Sequence, residues 1–243
     1  MQLPTTTEIS SLGTILGVWA HPDDEAYLSA GVMALARQNG QRVVVVTATA
    51  GEQGTDDPEL RGMPWFASHR RAELKESLGR LGVTEHVVLG LPDGGCDEIA
   101  VATGARLVGH WMAAVRPDTI LTFGPEGMTG HPDHQAVSAW TRGAWARAGR
   151  SARLLQATLT PDFHAEWGEL NDRVGLWMGD APCTDPRDVA IALDCRPVLD
   201  RKIAALEAHE SQTAALRALV GESTYATWWA SEWFVDADTR RSL

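Results

Sequence analysis

Short apolar runs alternate with segments of helical spacing from about residue 15 to residue 160, and that alternation restricts the chain to few architectures. The run that constrains most is Val43 to Val46, an unbroken β-branched stretch. Such a run suits a strand covered on both faces, the mark of a parallel sheet. Ile15 to Trp19, His86 to Leu89, Asp118 to Thr122 and Arg153 to Leu159 read as companion strands, and Val189 to Leu193 as a further one. Between them, helical spacing predicts helices over Ala26 to Asn39, Ser68 to Leu81, Ile99 to Val115 and His131 to about Ala148. Gly40 and Gly82 suit C-terminal caps, and Ser68 an N-cap.

Strict strand–helix alternation predicts an α/β chain with a doubly wound, Rossmann-like three-layer αβα sandwich and a mostly parallel sheet. Beyond residue 160 the pattern loosens. Pro197 to Leu219 is mostly helical, and the tail is aromatic, with Trp228, Trp229 and Trp233. No linker-like shift in composition divides the 243 residues, so residues 1–243 are read as a single domain.

Two polar corners interrupt this framework. The first strand stops at Ala20-His21-Pro22-Asp23-Asp24-Glu25; after the fourth comes a glycine-rich turn (Gly124, Gly127, Gly130) and then His131-Pro132-Asp133-His134. Each proline suits the first turn of a helix, and acids there meet the positive end of its dipole. Helix-start chemistry would account for the acids alone. It does not account for His21, or for a second His-Pro-Asp cluster at another strand exit. Where a dinucleotide site would need glycines the chain carries His21, Pro22 and Asp23, whose neighbouring carboxylates would repel a pyrophosphate.

Composition narrows the partners. With 32 acidic against 21 basic residues the net charge is −11, which disfavours nucleic acid and anionic lipid and favours a neutral or cationic small molecule. Met1 to Ser10 lacks the basic and apolar regions of a leader, and no stretch has membrane-spanning length, so a cytoplasmic location without membrane insertion is expected. Cys96, Cys183 and Cys195 form no C-x-x-C pair and read as reduced thiols, with a nucleophilic Cys96 the minor alternative. The oligomeric state is left open, a homo-oligomer included.

In a doubly wound sheet ligands bind beyond the carboxyl ends of the strands, where strand order reverses. If the first and fourth strands are neighbours there, His21, Asp24 and the 131 to 134 cluster converge. Two imidazoles and a carboxylate suffice for a catalytic zinc with an open position, and equally for the triad of non-haem iron(II) enzymes. Asp23 separates the two: a carboxylate beside a ligand can accept a proton from water activated at the metal, which hydrolysis needs. One histidine of the second cluster can be the ligand and the other an acid that serves the oxyanion or the leaving amine; spacing does not say which.

The paired motifs resemble the PIG-L family, the LmbE-like zinc N-deacetylases of N-acylated glucosamine conjugates. The resemblance continues through Gly51-Glu52-Gln53-Gly54, Arg70-Arg71-Ala72-Glu73, Leu91-Pro92-Asp93-Gly94 and Ala208-His209-Glu210-Ser211-Gln212. It implies His21, Asp24 and His134 as Zn2+ ligands, Asp23 as general base, His131 as the oxyanion-stabilising acid, and Arg70 and Asp93 as contacts to sugar hydroxyls. Asp133 is read either as orienting His131 or as a helix-start acid only, and His209 as structural. The substrate implied is a small amino-sugar conjugate. Some members carry a tyrosine shortly before the second motif where this chain has Met128-Thr129-Gly130, a departure that counts against the mycothiol-pathway subgroup.

Overall fold

The structure, a computed structural model, describes residues 9–238; Met1 to Glu8, most of the segment read for a leader, lie outside the described residues. The first strand is β1 (Ile15–Trp19), followed by α1 (Asp24–Gln38), β2 (Val43–Thr49), α2 (Pro64–Leu81), β3 (Glu85–Leu91), α3 (Val101–Val115) and β4 (Thr119–Phe123). A short α4 (Gly127–Gly130) leads into α5 (Pro132–Arg147), then β5 (Arg153–Thr158), α6 (Pro161–Val174), β6 (Val189–Asp194), α7 (Leu199–Ala208), α8 (Glu210–Val220), α9 (Glu222–Trp228) and β7 (Ser231–Asp236).

The strands form one seven-stranded sheet in the order β3-β2-β1-β4-β5-β7-β6. The first five are parallel, and β7 runs antiparallel to both β5 and β6. Every residue of β1, β2 and β4 is buried, as apolar sequences broken only by threonines require in a sheet covered on both faces. Strand order reverses between β1 and β4, where Ile15 pairs with Thr119 and Gly17 with Leu121. The carboxyl ends of these two strands are therefore adjacent, and both His-Pro-Asp corners emerge there. Among the described residues no helix is long and apolar enough to cross a membrane.

Three sequence expectations need correction. The second predicted helix starts at Pro64 and not at Ser68; Pro64 occupies the first helical position, so the preceding loop is shorter than expected. The predicted 197 to 219 helix is broken at His209 into α7 and α8. The aromatic tail contains β7, whose Phe234 and Val235 are core residues between β5 and β6.

This inserted strand also carries a buried ion pair. Lys202 of α7 and Glu232 of β7 meet at 2.7 Å with essentially no exposure. Glu232 accepts the Gly31 and Val32 N–H groups of α1, at 2.7 and 3.0 Å, while Lys202 Nζ donates to the Tyr27 carbonyl at 2.9 Å. The pair thus fastens the site-bearing helix to the C-terminal half of the chain. Replacing Glu232 by Ala leaves a buried ammonium unpaired and is expected to cost about 3–5 kcal/mol in urea denaturation. A loss below about 1 kcal/mol, the level of an exposed pair, would show that the pair does not anchor α1.

Candidate metal centre and active site

The first corner is held by its own acids. Asp24 Oδ2 accepts the backbone N–H groups of Ala20 and His21, at 3.2 and 2.7 Å, and Glu25 Oε2 accepts that of Asp23 at 3.0 Å. Helix α1 consequently begins at Asp24, and Pro22 lies in the turn before it, contrary to the helix-start expectation. Asp23, at the N-cap, has φ 118° and makes no side-chain capping bond. A non-glycine residue in that region is strained and persists only when its surroundings fix it. Here Glu25 supplies the fixing: Oε1 also takes the Ser77 hydroxyl at 3.1 Å and His209 Nε2 at 2.9 Å, with both partners fully buried. Glu25 and His209 are thus part of the corner, a pairing across 184 positions that the acidic run Asp23-Asp24-Glu25 does not reveal.

The second corner obeys the helix-start reading. Pro132 occupies the first turn of α5, and His131, its N-cap, accepts the Asp133 N–H on Nδ1 at 3.1 Å. Of the two roles open to Asp133, its carboxylate does not orient His131. Its oxygens instead take the N–H groups of Gly94 and Cys96, at 2.8 and 2.9 Å, and approach His21 Nε2 at 3.2 Å. Asp93 Oδ1 reaches the same nitrogen at 3.1 Å, and its Oδ2 accepts the Gln53 N–H at 2.7 Å.

Across the switch point the two corners meet. His21 Nδ1 lies 3.0 Å from His134 Nε2, which in turn lies 3.3 Å from Asp24 Oδ1; His21 Nδ1 and Asp24 Oδ2 are 3.7 Å apart. The outward nitrogens are committed elsewhere, since His21 Nε2 donates to Asp133 and Asp93 while His134 Nδ1 donates to the Gly127 carbonyl at 3.0 Å. Both neutral rings would therefore aim lone pairs at one point, an arrangement that calls for a cation between them. Stacking keeps His134 in place: its ring lies 4.2 Å from Phe123, the last residue of β4, which packs edge-on against Trp19, the last of β1.

Charge follows the same logic. Burial works against a charged His21, but the hydrogen bonds to Asp133 and Asp93 and the field of Asp24 prevail and lift its pKa to about 10. A proton thus sits where the carboxylates would welcome a metal. Burial and the charge of His21 keep His134 well below the ordinary histidine range, so it is neutral, as a ligand must be. His21, His131 and His134 also lie within 4.8 Å of one another by their ligating atoms. His131, however, spends Nδ1 on its helix cap, so its neutral ring carries the proton on Nε2 and presents a donor.

Asp23 lies beside this centre. Burial raises its pKa to about 6 against the opposing charge of Arg70. Arg70 is itself buried: Nη1 donates to the Gly51 carbonyl at 2.8 Å, and Nη2 to the Pro22 carbonyl and, at 3.1 Å, to Asp23 Oδ2. A Cβ on Gly51, at φ 67°, would sit 1.9 Å from Nη1, so glycine there is what lets the guanidinium reach the corner. Arg70 and Asp93 both line the cavity, yet Arg70 Nη2 is engaged by Asp23 and Asp93 Oδ1 by His21. Cys96 is fully buried, burial pushes its thiol up, and it contributes a backbone N–H to Asp133; a nucleophilic role does not fit.

Known proteins resemble this chain over most of its length. The model of the PIG-L family, described as GlcNAc-PI de-N-acetylase, matches residues 16–145 and so spans both corners. The chain belongs to this family. It is 31% identical, over an alignment that covers 87% of this chain and 85% of the relative, to a 1D-myo-inositol 2-acetamido-2-deoxy-alpha-D-glucopyranoside deacetylase of Actinosynnema mirum. The absence of the tyrosine therefore does not set the chain apart from such enzymes in overall sequence. In fold it is similar to N,N'-diacetylchitobiose deacetylase from Pyrococcus horikoshii, with a TM-score of 0.64, 21% identity and coverage of 92% of this chain and 83% of that one. It is similar as well to A40926 pseudoaglycone deacetylase Dbv21, with a TM-score of 0.65, 20% identity and coverage of 93% and 97%. The chain is an amide-hydrolysing enzyme of this PIG-L family.

The Asp133 carboxylate fixes which nitrogen of His21 is free to bind a cation. Asp133→Asn is expected to weaken zinc binding by about 10–100-fold in competition with a chromophoric chelator. Unchanged affinity would contradict this role.

Proposed function

We propose that this PIG-L family member is a single-domain, zinc-dependent hydrolase that removes an N-acetyl or longer N-acyl group from an N-acylglucosamine-type conjugate, with His21, Asp24 and His134 as the metal ligands. The relatives named as deacetylases of amino-sugar substrates support the substrate class. One observation carries the reading: two imidazole nitrogens facing each other at 3.0 Å, with Asp24 completing the set and an unligated Asp23 next to it. Bound zinc would polarise the amide carbonyl and acidify the attacking water.

The chain's own groups do the rest. Asp23 Oδ2 is held by Arg70, leaving Oδ1 to take a proton from the attacking water. A carboxyl with a pKa of about 6 suits that task near neutral pH, charged enough to accept and acidic enough to pass the proton on. His131, with its proton on Nε2, serves as donor to the developing oxyanion or to the leaving amine. Arg70 and Asp93 are proposed to act mainly by positioning Asp23 and His21, with any contact to sugar hydroxyls secondary. The iron(II) alternative shares the same three ligands but has no use for Asp23.

The test is release of free amine from N-acetylglucosamine derivatives by the zinc-loaded protein, repeated with Asp23→Asn. The variant should lose about 10²–10⁴-fold in kcat while keeping its zinc. Retained activity would overturn the base assignment, and no amine from any N-acylated amino sugar would overturn the reading as a whole.

A further inference from the structure

The cavity over the metal centre, of about 380 Å³, has two unlike walls. One is polar and comes from the switch-point loops: His21, Asp23, Asp24, His131 and His134 with Arg70 behind them. The other comes mostly from the second half of the chain, and there every lining residue beyond position 150 except Gln212 is apolar. Phe163 of α6, Trp177 beyond it, Leu216 of α8 and Trp229 after α9 make up most of that wall, and Tyr27 and Leu28 of α1 continue it toward the metal site. Trp229 packs against Tyr27 at 4.6 Å and stacks on Trp228 at 4.7 Å, so the wall is braced. The Tyr27 hydroxyl is tied to that of Tyr225 at 2.9 Å.

The wall is also fixed relative to the chemistry. Met178 N–H donates to the Thr129 carbonyl at 2.7 Å, and a Cβ on Gly130 would come within 2.6 Å of the Gly179 nitrogen. The loop bearing Trp177 is thus docked on the turn that leads to His131. Apolar surface continues outward from the cavity: Leu219 stands one turn beyond Leu216 on α8, and Met178 follows Trp177, each 66% exposed.

A polyhydroxylated group set against this wall would find few partners, chiefly Gln212 and the unpartnered Trp229 Nε1–H, and most of its hydroxyls would go unpaired, a cost that an apolar group avoids while gaining by its burial. Resting on the deacetylase reading above, we infer that the substrate carries an apolar appendage, an alkyl, acyl or aryl chain, seated between Tyr27, Phe163, Trp177, Leu216 and Trp229. The chemistry is the same whether that chain is the aglycone of the amino sugar or its N-acyl group.

Two substrate series distinguish the sources. One is methyl, butyl and octyl glycosides of N-acetylglucosamine; the other is methyl glucosaminide carrying N-acetyl, N-butanoyl and N-octanoyl groups. The expectation is a rise in kcat/KM of about tenfold or more along one series, identifying which end carries the chain. In Leu216→Lys that rise should shrink to about threefold or less. Flat dependence in both series, or an inositol glycoside preferred over every octyl compound, would overturn the inference while leaving the deacetylase reading intact. Should no compound be hydrolysed, the deacetylase reading fails, and quenching of tryptophan fluorescence still decides the wall. Tighter binding of octyl than of methyl glycoside supports it, and equal binding overturns it.

Discussion

Two imidazole rings facing each other nitrogen to nitrogen across 3.0 Å are the constraint on which the rest of this molecule depends. As neutral rings they would set two lone pairs against each other. Their outer N–H groups are committed to Asp133, Asp93 and the Gly127 carbonyl, so the rings cannot relieve the contact by exchanging tautomers. A positive charge between them resolves it, the proton on His21 or a metal ion in its place, and the surrounding carboxylates supply the field that draws one in. The parallel sheet makes the meeting possible, because a chain that winds outward from β1 in both directions must leave the ends of β1 and β4 side by side.

Around that contact the protein spends stability on order. Asp23 is held in a backbone conformation that an aspartate does not favour, by a glutamate that faces backward instead of into solvent and by an arginine threaded past Gly51. Glu25 is anchored by Ser77 and by His209, which stands at the break between α7 and α8. The C-terminal region that loosens in sequence is therefore not an appendage. It supplies the partner of Glu25, the buried ion pair that fastens α1, and the apolar wall of the cavity.

What could be read from the sequence follows from where each signal resides. Apolar runs broken only by threonines revealed β1, β2 and β4, because burial on both faces leaves no strongly polar alternation to confuse. The two His-Pro-Asp corners stood out because histidine is rare at a strand exit, and topology then required them to converge. The partners of those residues were not legible. That Asp133 serves His21 instead of His131 depends on a contact across 112 positions, and spacing within a motif says nothing of it. Strand β7 was hidden because Ser231-Glu232-Trp233 mixes polar and aromatic residues on an inserted antiparallel strand. Arg70 was placed at the site through family resemblance, but its work on backbone carbonyls and Asp23 emerges only from the fold.

The most direct check of the account is X-ray absorption at the zinc edge of the zinc-loaded protein. Two imidazoles and light oxygen donors, with no sulfur, are what the convergence of His21, Asp24 and His134 predicts. Scattering from three imidazoles would move His131 from proton donor to ligand, and scattering from one, or from a thiolate, would mean that the two corners do not grip the same ion.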